Sequence, residues 1–190
     1  MTRRILTLVM VAVPVVVMAG SQSWKNTAPE TFRANGQMTA GEGGVASAID
    51  IQVDRYTPDA EHEAIVKALK EGYAPFVEAL RKAPQVGAVK LGQNSYAIRW
   101  ARQREQDKDH RRVAVVTDRP VYFLGAGATD AKPTEGFDVA LVEFTIDNVG
   151  LGKGTMAPAA RVKAGGPTGI EIQDYSGKLI TLMTVTRNLK

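Results

Sequence analysis

One segment of this chain carries helical periodicity, and everything beyond it reads as short strands and glycine-rich turns. That asymmetry constrains the fold more than any other feature. Thr57 is placed to cap a helix, and Pro58 suits a first helical position, where its missing N–H has no partner to lose. Asp59, Glu61 and Glu63 follow, where the helix dipole favours negative charge. Ile65, Leu69, Tyr73, Phe76 and Leu80 recur every three or four residues and form one apolar stripe, a face that packs on a sheet. Gly72 and Pro75 divide the segment into two short helices.

Elsewhere the period is two. Thr31–Met38 is an expected strand with Phe32, Ala34 and Met38 on one side, followed by a turn at Gly41-Glu42-Gly43-Gly44. In "IDIQVD", Ile49, Ile51 and Val53 alternate with Asp50, Gln52 and Asp54, the pattern of a half-buried strand. Tyr96, Ile98 and Trp100 read as one face of a strand, and Val113 and Val115 stand on the opposite side from Ala114 and Val116. Residues 138–146, "DVALVEFTI", form the most apolar strand after the N-terminal segment. Turns are expected at Asn148-Val149-Gly150, Gly165-Gly166-Pro167 and Ser176-Gly177-Lys178, with "GIEIQDY" and "KLITLMTVTR" pairing across the last as a hairpin. The resulting class is mainly β with one helical insertion (α+β). An antiparallel sheet closes into a barrel or sandwich, with the helix pair packed on one face or end. A parallel α/β sheet needs strands alternating with helices, and a single helical segment does not supply them.

The first 19 residues read as a signal peptide: Arg3 and Arg4, then the apolar run "ILTLVMVAVPVVVM", then Val17-Met18-Ala19 before Gly20 as a cleavage site. The apolar stretch is short for a bilayer span, which needs about 20 residues. The division is therefore 1–19 signal peptide, 20–30 linker and 31–190 one β-rich domain, with export to the periplasm or the medium. Membrane contact enters only through the signal segment, if it is retained. Removing residues 1–19 takes two arginines from a formal charge of +4, which leaves +2. Near-balance and export both argue against a nucleic-acid partner, and the charges of "RWARQREQDKDHRR" suit a solvated hairpin end. With no cysteine, disulfides, thiolate metal sites and cysteine nucleophiles are excluded. His62 and His110 are the only histidines, so a three-histidine zinc site is impossible. Each stands among acids on a separate stretch, and no metal site is assigned.

"RRVAVVTDRPVYF" interrupts an apolar run at Thr117-Asp118-Arg119-Pro120. Pro120 cannot donate to a ladder, Asp118 can bond its local backbone, and Arg119 can pair with an acid, so the break reads as a β-corner. The functional alternative makes Arg119 an anion ligand at a barrel mouth. Gly125-Ala126-Gly127 lacks the third glycine and the following helix of a dinucleotide loop, and "GLGKG" lacks phosphate-loop spacing, so no cofactor is expected. The glycines of "GLGKG" suit close strand crossing instead. Glu143 lies within the apolar strand, either buried with Arg99, Arg119 or Arg161 as its partner, or on the outer face.

The stretches "ALKEGYAPFVEALRKAPQVG", "IRWARQ", "RRVAVVTDRPVYF", "FDVALVEF", "GLGKG" and "IEIQDY" make residues 60–187 resemble a group of exported bacterial proteins with a strand-TDRP-strand motif and no known activity. Leu124-Gly125 departs from the aromatic and acid expected there, and the resemblance implies no catalytic residue. The leading functional expectation is a non-catalytic protein that binds a small apolar or anionic ligand, or that associates with the envelope. A helix across one opening of a closed sheet would leave a pocket lined by Tyr96, Trp100, Phe123 and Phe144, with Asp118, Arg119 and Glu143 as polar contacts. The alternatives are a hydrolase or isomerase using Glu143 or Asp118 with Arg119, and a self-associating or protein-binding module with an exposed sheet edge.

Overall fold

The computed structural model describes residues 28–40, 43–122 and 134–188. The signal and linker readings up to residue 27, the Gly41-Glu42 half of the first turn, the side chain of Met38, Phe123 and Gly125-Ala126-Gly127 lie outside them.

Among the described residues, nine strands and two helices follow one another as β1 (Glu30–Ala40), β2 (Gly43–Val53), α1 (Asp59–Glu71), α2 (Tyr73–Lys82), β3 (Gly87–Leu91), β4 (Asn94–Glu105), β5 (His110–Thr117), β6 (Val139–Asp147), β7 (Leu151–Gly165), β8 (Gly169–Tyr175) and β9 (Ile180–Asn188). All neighbours are antiparallel, in the order β6-β5-β4-β3-β2-β1-β9-β7, and a β6–β7 ladder closes the ring into an eight-stranded barrel. β8 is a ninth strand outside the ring, attached to β7. The mainly β, closed antiparallel fold with a helix pair on one face is what the period-2 segments and the single helical stripe imply.

Two apolar layers lie on opposite sides of the barrel wall. The interior is filled by side chains, among them Phe32, Ile49, Ile51, Val89, Ile98, Val115, Val142, Phe144, Met156 and Leu182. Phe32 and Phe144 meet edge to face, with ring centroids 4.9 Å apart. The second layer is outside, where Ile65, Leu69, Phe76 and Leu80 of the helices pack on Trp100, Val116, Leu141, Ala157 and Val162. The wall of β4 to β7 is therefore apolar on both faces, which is why "VAVV" and "VALV" run without a polar alternate. The helix pair lies along this wall rather than across an opening, because its stripe matches the outward parity of β5 and β6.

Several local expectations are corrected. Thr57 does not cap α1; its Oγ1 accepts the Ala101 N–H of β4 (2.9 Å), and Pro58 stands at the cap without a side-chain bond. Tyr96, Ile98 and Trp100 do not share a face. A bulge between Ile98 and Trp100 inserts Arg99 and reverses the parity, so Tyr96 and Ile98 point inward while Trp100 lies beneath the helices. β8 and β9 do not form a hairpin: β9 pairs with Leu151–Met156 of β7 and β8 with Ala160–Gly165, two successive stretches of the same edge. The 15-residue β7 is long enough to serve both, and Ser176–Leu179 only steps the chain along it.

Candidate functional site

The TDRP segment is a corner. The Thr117 hydroxyl is fully buried; it donates to Arg119 O (2.6 Å) and accepts the Ala140 N–H (2.9 Å), so it takes the local role expected of Asp118. Asp118 N–H closes on Ala97 O (3.1 Å), and Val121 N–H reaches Pro158 O of β7 (2.8 Å). The chain thus crosses one barrel end, with Val121 inserted into the interior core. Arg119 pairs with no acid among the described residues; its guanidinium donates to Ser95 O (3.0 Å) and lies 5.2 Å from the centre of the Tyr96 ring.

The polar candidates are not brought together. Asp118 is held by Arg99 at 3.3 Å, and Arg99 also donates to Ala83 O at the end of α2 (3.0 Å). Glu143 points outward and pairs with Arg112 (3.3 Å) rather than with Arg99, Arg119 or Arg161. In the ladder Glu143 faces Ala114, four residues before Asp118, a separation of about 13 Å at ~3.3 Å per residue. Of the aromatics, Tyr96 and Phe144 are interior core, and the Tyr96 hydroxyl accepts the Tyr122 N–H (3.3 Å). Trp100 belongs to the outer layer.

Two polar assemblies that the sequence reading missed stand out instead. The first closes the other barrel end. Arg111 is buried and grips Glu30 with both terminal nitrogens, Nη2–Oε1 at 2.6 Å and Nη1–Oε2 at 3.0 Å. Tyr56 donates its hydroxyl to Glu30 Oε2 (2.7 Å), Gln103 Oε1 accepts from Arg111, and Arg187 approaches Glu30 at 3.5 Å. Burial, then the neighbouring Glu30 carboxylate, push the Tyr56 phenol far above its ordinary value. The only sequence signal was parity: Glu30 and Arg111 continue the inward faces of Phe32 and Val113.

The second is a cleft of about 370 Å³ outside the barrel, lined by His62 of α1, Arg102 and Arg104 of β4, and the Gly166–Gly169 turn between β7 and β8. Arg102 donates Nη1 to Thr57 O (2.9 Å) and Asp59 (2.8 Å), and Arg104 donates Nη1 to Pro167 O (2.8 Å). Trp100 Nε1–H donates to His62 Nδ1 (3.1 Å), which assigns the ring proton to Nε2. Burial and then the Arg102 charge hold His62 below the usual histidine range. Gly169 has φ +101°, and a Cβ there would lie 2.5 Å from His62 Cε1, so only glycine lets the turn close on the ring. Thr168 is 5% exposed, and its hydroxyl has no hydrogen-bond partner among the described residues. An adjoining depression of about 500 Å³ adds Glu105, Gln106 and Arg112. No group of three or more histidine, aspartate or glutamate side chains among the described residues has the geometry to hold a metal.

No family model matches the chain, and neither a curated protein nor a solved structure matches it.

Proposed function

We propose that the protein is exported and serves as a non-catalytic, ligand-binding domain of the cell envelope or medium. One observation carries the non-catalytic part: Asp118 and Glu143, the candidate bases, and Arg119, the candidate holder of an anionic group, are each committed to a different structural partner. Acid–base catalysis needs such groups within reach of one reacting atom. The barrel interior is occupied by core side chains, so ligand recognition falls to the outer surface, where the cleft beside His62 gathers donors. The export part rests on Arg3, Arg4 and the apolar run that follows them.

Native mass spectrometry of protein purified from its own host, with fractionation and N-terminal sequencing, tests the reading. We expect a mature chain beginning at Gly20 in the exported fraction, carrying added mass that leaves on denaturation. A full-length cytosolic chain of clean apo mass would sink it. A second reading has its own observation: the outer edge of β8 pairs with no strand among the described residues, and Tyr175 beside it is 40% exposed. Strand addition there would make the protein an interaction module, and light scattering would report a dimer.

A further inference from the structure

We propose that the cleft between α1, β4 and the β7–β8 turn binds the oxyanion group, phosphate or carboxylate, of a small molecule. The inference rests on the ligand-binding reading above and assigns it a site. Arg102 and Arg104 alternate on the outer face of β4, about 7 Å apart at ~3.3 Å per residue. Each uses Nη1 to hold a backbone carbonyl, so both side chains are fixed in advance and the other donors of each fork are uncommitted among the described residues. Arg102 has Asp59 as counter-ion, but Asp59 is 83% exposed, and Arg104 has no carboxylate within ion-pair distance among the described residues. A planar fork of this kind matches phosphate and carboxylate edges.

The other lining groups add neutral donors. His62 presents Nε2–H because Trp100 occupies Nδ1. The Thr168 hydroxyl is the decisive group: a buried hydroxyl is costly to leave unbonded, and no protein atom among the described residues bonds it. An oxyanion supplies acceptors to guanidinium, imidazole and hydroxyl together. A cation would be repelled by both arginines, and an apolar ligand would strip them of water without return. Of the acids nearby, Glu63 on α1 acts on His62 through its charge and Glu105 on β4 lines the adjoining depression, and neither pairs with Arg104 among the described residues. The adjoining depression with Arg112 gives room for the body of a ligand larger than the bare anion.

The test is a titration of the mature chain beginning at Gly20, ¹⁵N-labelled, with inorganic phosphate and separately with acetate, at constant ionic strength against chloride. We expect saturable shifts of the Trp100 indole N–H and of the Thr168 and Gly169 amides with phosphate, acetate or both, and none with chloride. Which anion saturates at lower concentration identifies the group. Arg104→Gln and Thr168→Val should each weaken binding about tenfold or more, as befits a charge-assisted hydrogen bond, and Arg104→Lys should recover part of the loss. Thr168→Val should melt no lower than wild type, because it deletes a hydroxyl with nothing to lose. If Arg104→Gln disturbs the turn, Arg104→Lys and Thr168→Val still decide. Linear shifts without saturation, saturation untouched by either variant, or a Thr168→Val protein that melts markedly lower would overturn the site. A host ligand retained equally by wild type and Arg104→Gln would also overturn it, while leaving the ligand-binding reading intact. Saturable phosphate or acetate binding without any retained host ligand would uphold the site and count against the reading.

Discussion

Arg111 and Glu30, 81 residues apart in the chain, form a two-pronged ion pair inside one end of the barrel. Ring closure makes the pair possible, since β1 and β5 are not neighbours in the sheet and meet only across the interior. With Tyr56, Gln103 and Arg187 they fill with polar side chains the space that Val121 and Tyr96 fill at the other end.

Breaking this pair one side at a time should be severe. Removing one partner of a buried ion pair costs on the order of 3–5 kcal/mol, because the other charge stays buried. We expect Arg111→Met and Glu30→Gln each to lose that order of stability by urea unfolding. The double variant should lose clearly less than their sum, and additive losses would show that the two side chains do not act as a unit.

Tyr56 gives the same assembly a pH signature. Its phenol is raised in the folded state, so below the unfolded value of about 10 the contribution is fully present. Above pH ~10 the unfolded chain releases a proton that the folded chain keeps, and stability falls by about 1.4 kcal/mol per pH unit. Urea unfolding of wild type between pH 9 and 11 should show this fall, and Tyr56→Phe should be flatter. An equal slope in both would mean that Tyr56 does not keep its proton.

His62 works in the opposite direction along the pH axis. Burial and Arg102 lower its folded value, so its contribution is present above the unfolded value of about 6.5 and is lost as pH falls below it. We expect the His62 Cε1–H resonance to titrate below the ordinary histidine value of about 6.5 in a proton NMR series. Arg102→Gln should move it upward, and a wild-type midpoint at or above 6.5 would contradict the assignment.

Arg119→Ala should lower the melting temperature by only a few degrees. Its bond to Ser95 O and its contact with Tyr96 are solvent-exposed, worth together about 1 kcal/mol. For a protein of this size that is roughly 2–4 °C. Thr117→Val, which removes the buried hydroxyl that ties Arg119 O to Ala140, should cost more, and a thermal melt of the two side by side settles the order.

The expectation that the glycines of "GLGKG" serve close strand crossing has a geometric basis. A Cβ on Gly154 would stand 2.1 Å from Glu143 O and 2.5 Å from Phe144 Cβ. Gly154→Ala should therefore cost about 1–3 kcal/mol or more as overpacking. Gly92→Ala, at φ +55° but with open space around it, should cost about 1–2 kcal/mol for the left-handed backbone alone. Chemical denaturation of both variants compares crowding with backbone strain.

The strand alternation of Ile49, Ile51 and Val53, the divided helix at Gly72, and the corner at Thr117 to Pro120 were legible, because each is fixed by neighbours in sequence. The bulge at Arg99 was not: Tyr96, Ile98 and Trp100 keep an unbroken period of two through it, so one inserted residue moved Trp100 to the other side of the wall without a mark in the sequence. The shared edge of β7 was hidden for a similar reason, since Ser176-Gly177 suits a tight turn whether or not the flanking strands pair. Of the candidate site, His62 was noticed only as a histidine among acids. Its link to Trp100 and the β4 arginines depends on docking of α1, which local spacing cannot encode.

The ladder between β1 and β9 has a consequence for how the molecule assembles. Thr31 pairs with Asn188, so the ring is sealed between β1 and β9. While the chain is being made, the outward side of β1 and the Leu151–Met156 stretch of β7 remain bare until residues 180–188 arrive to satisfy both. A fragment ending near Gly177 would keep every other ladder yet expose two adhesive margins at once. Loss of a dozen residues should therefore convert a monodisperse protein into one that clumps, well before its secondary structure is gone.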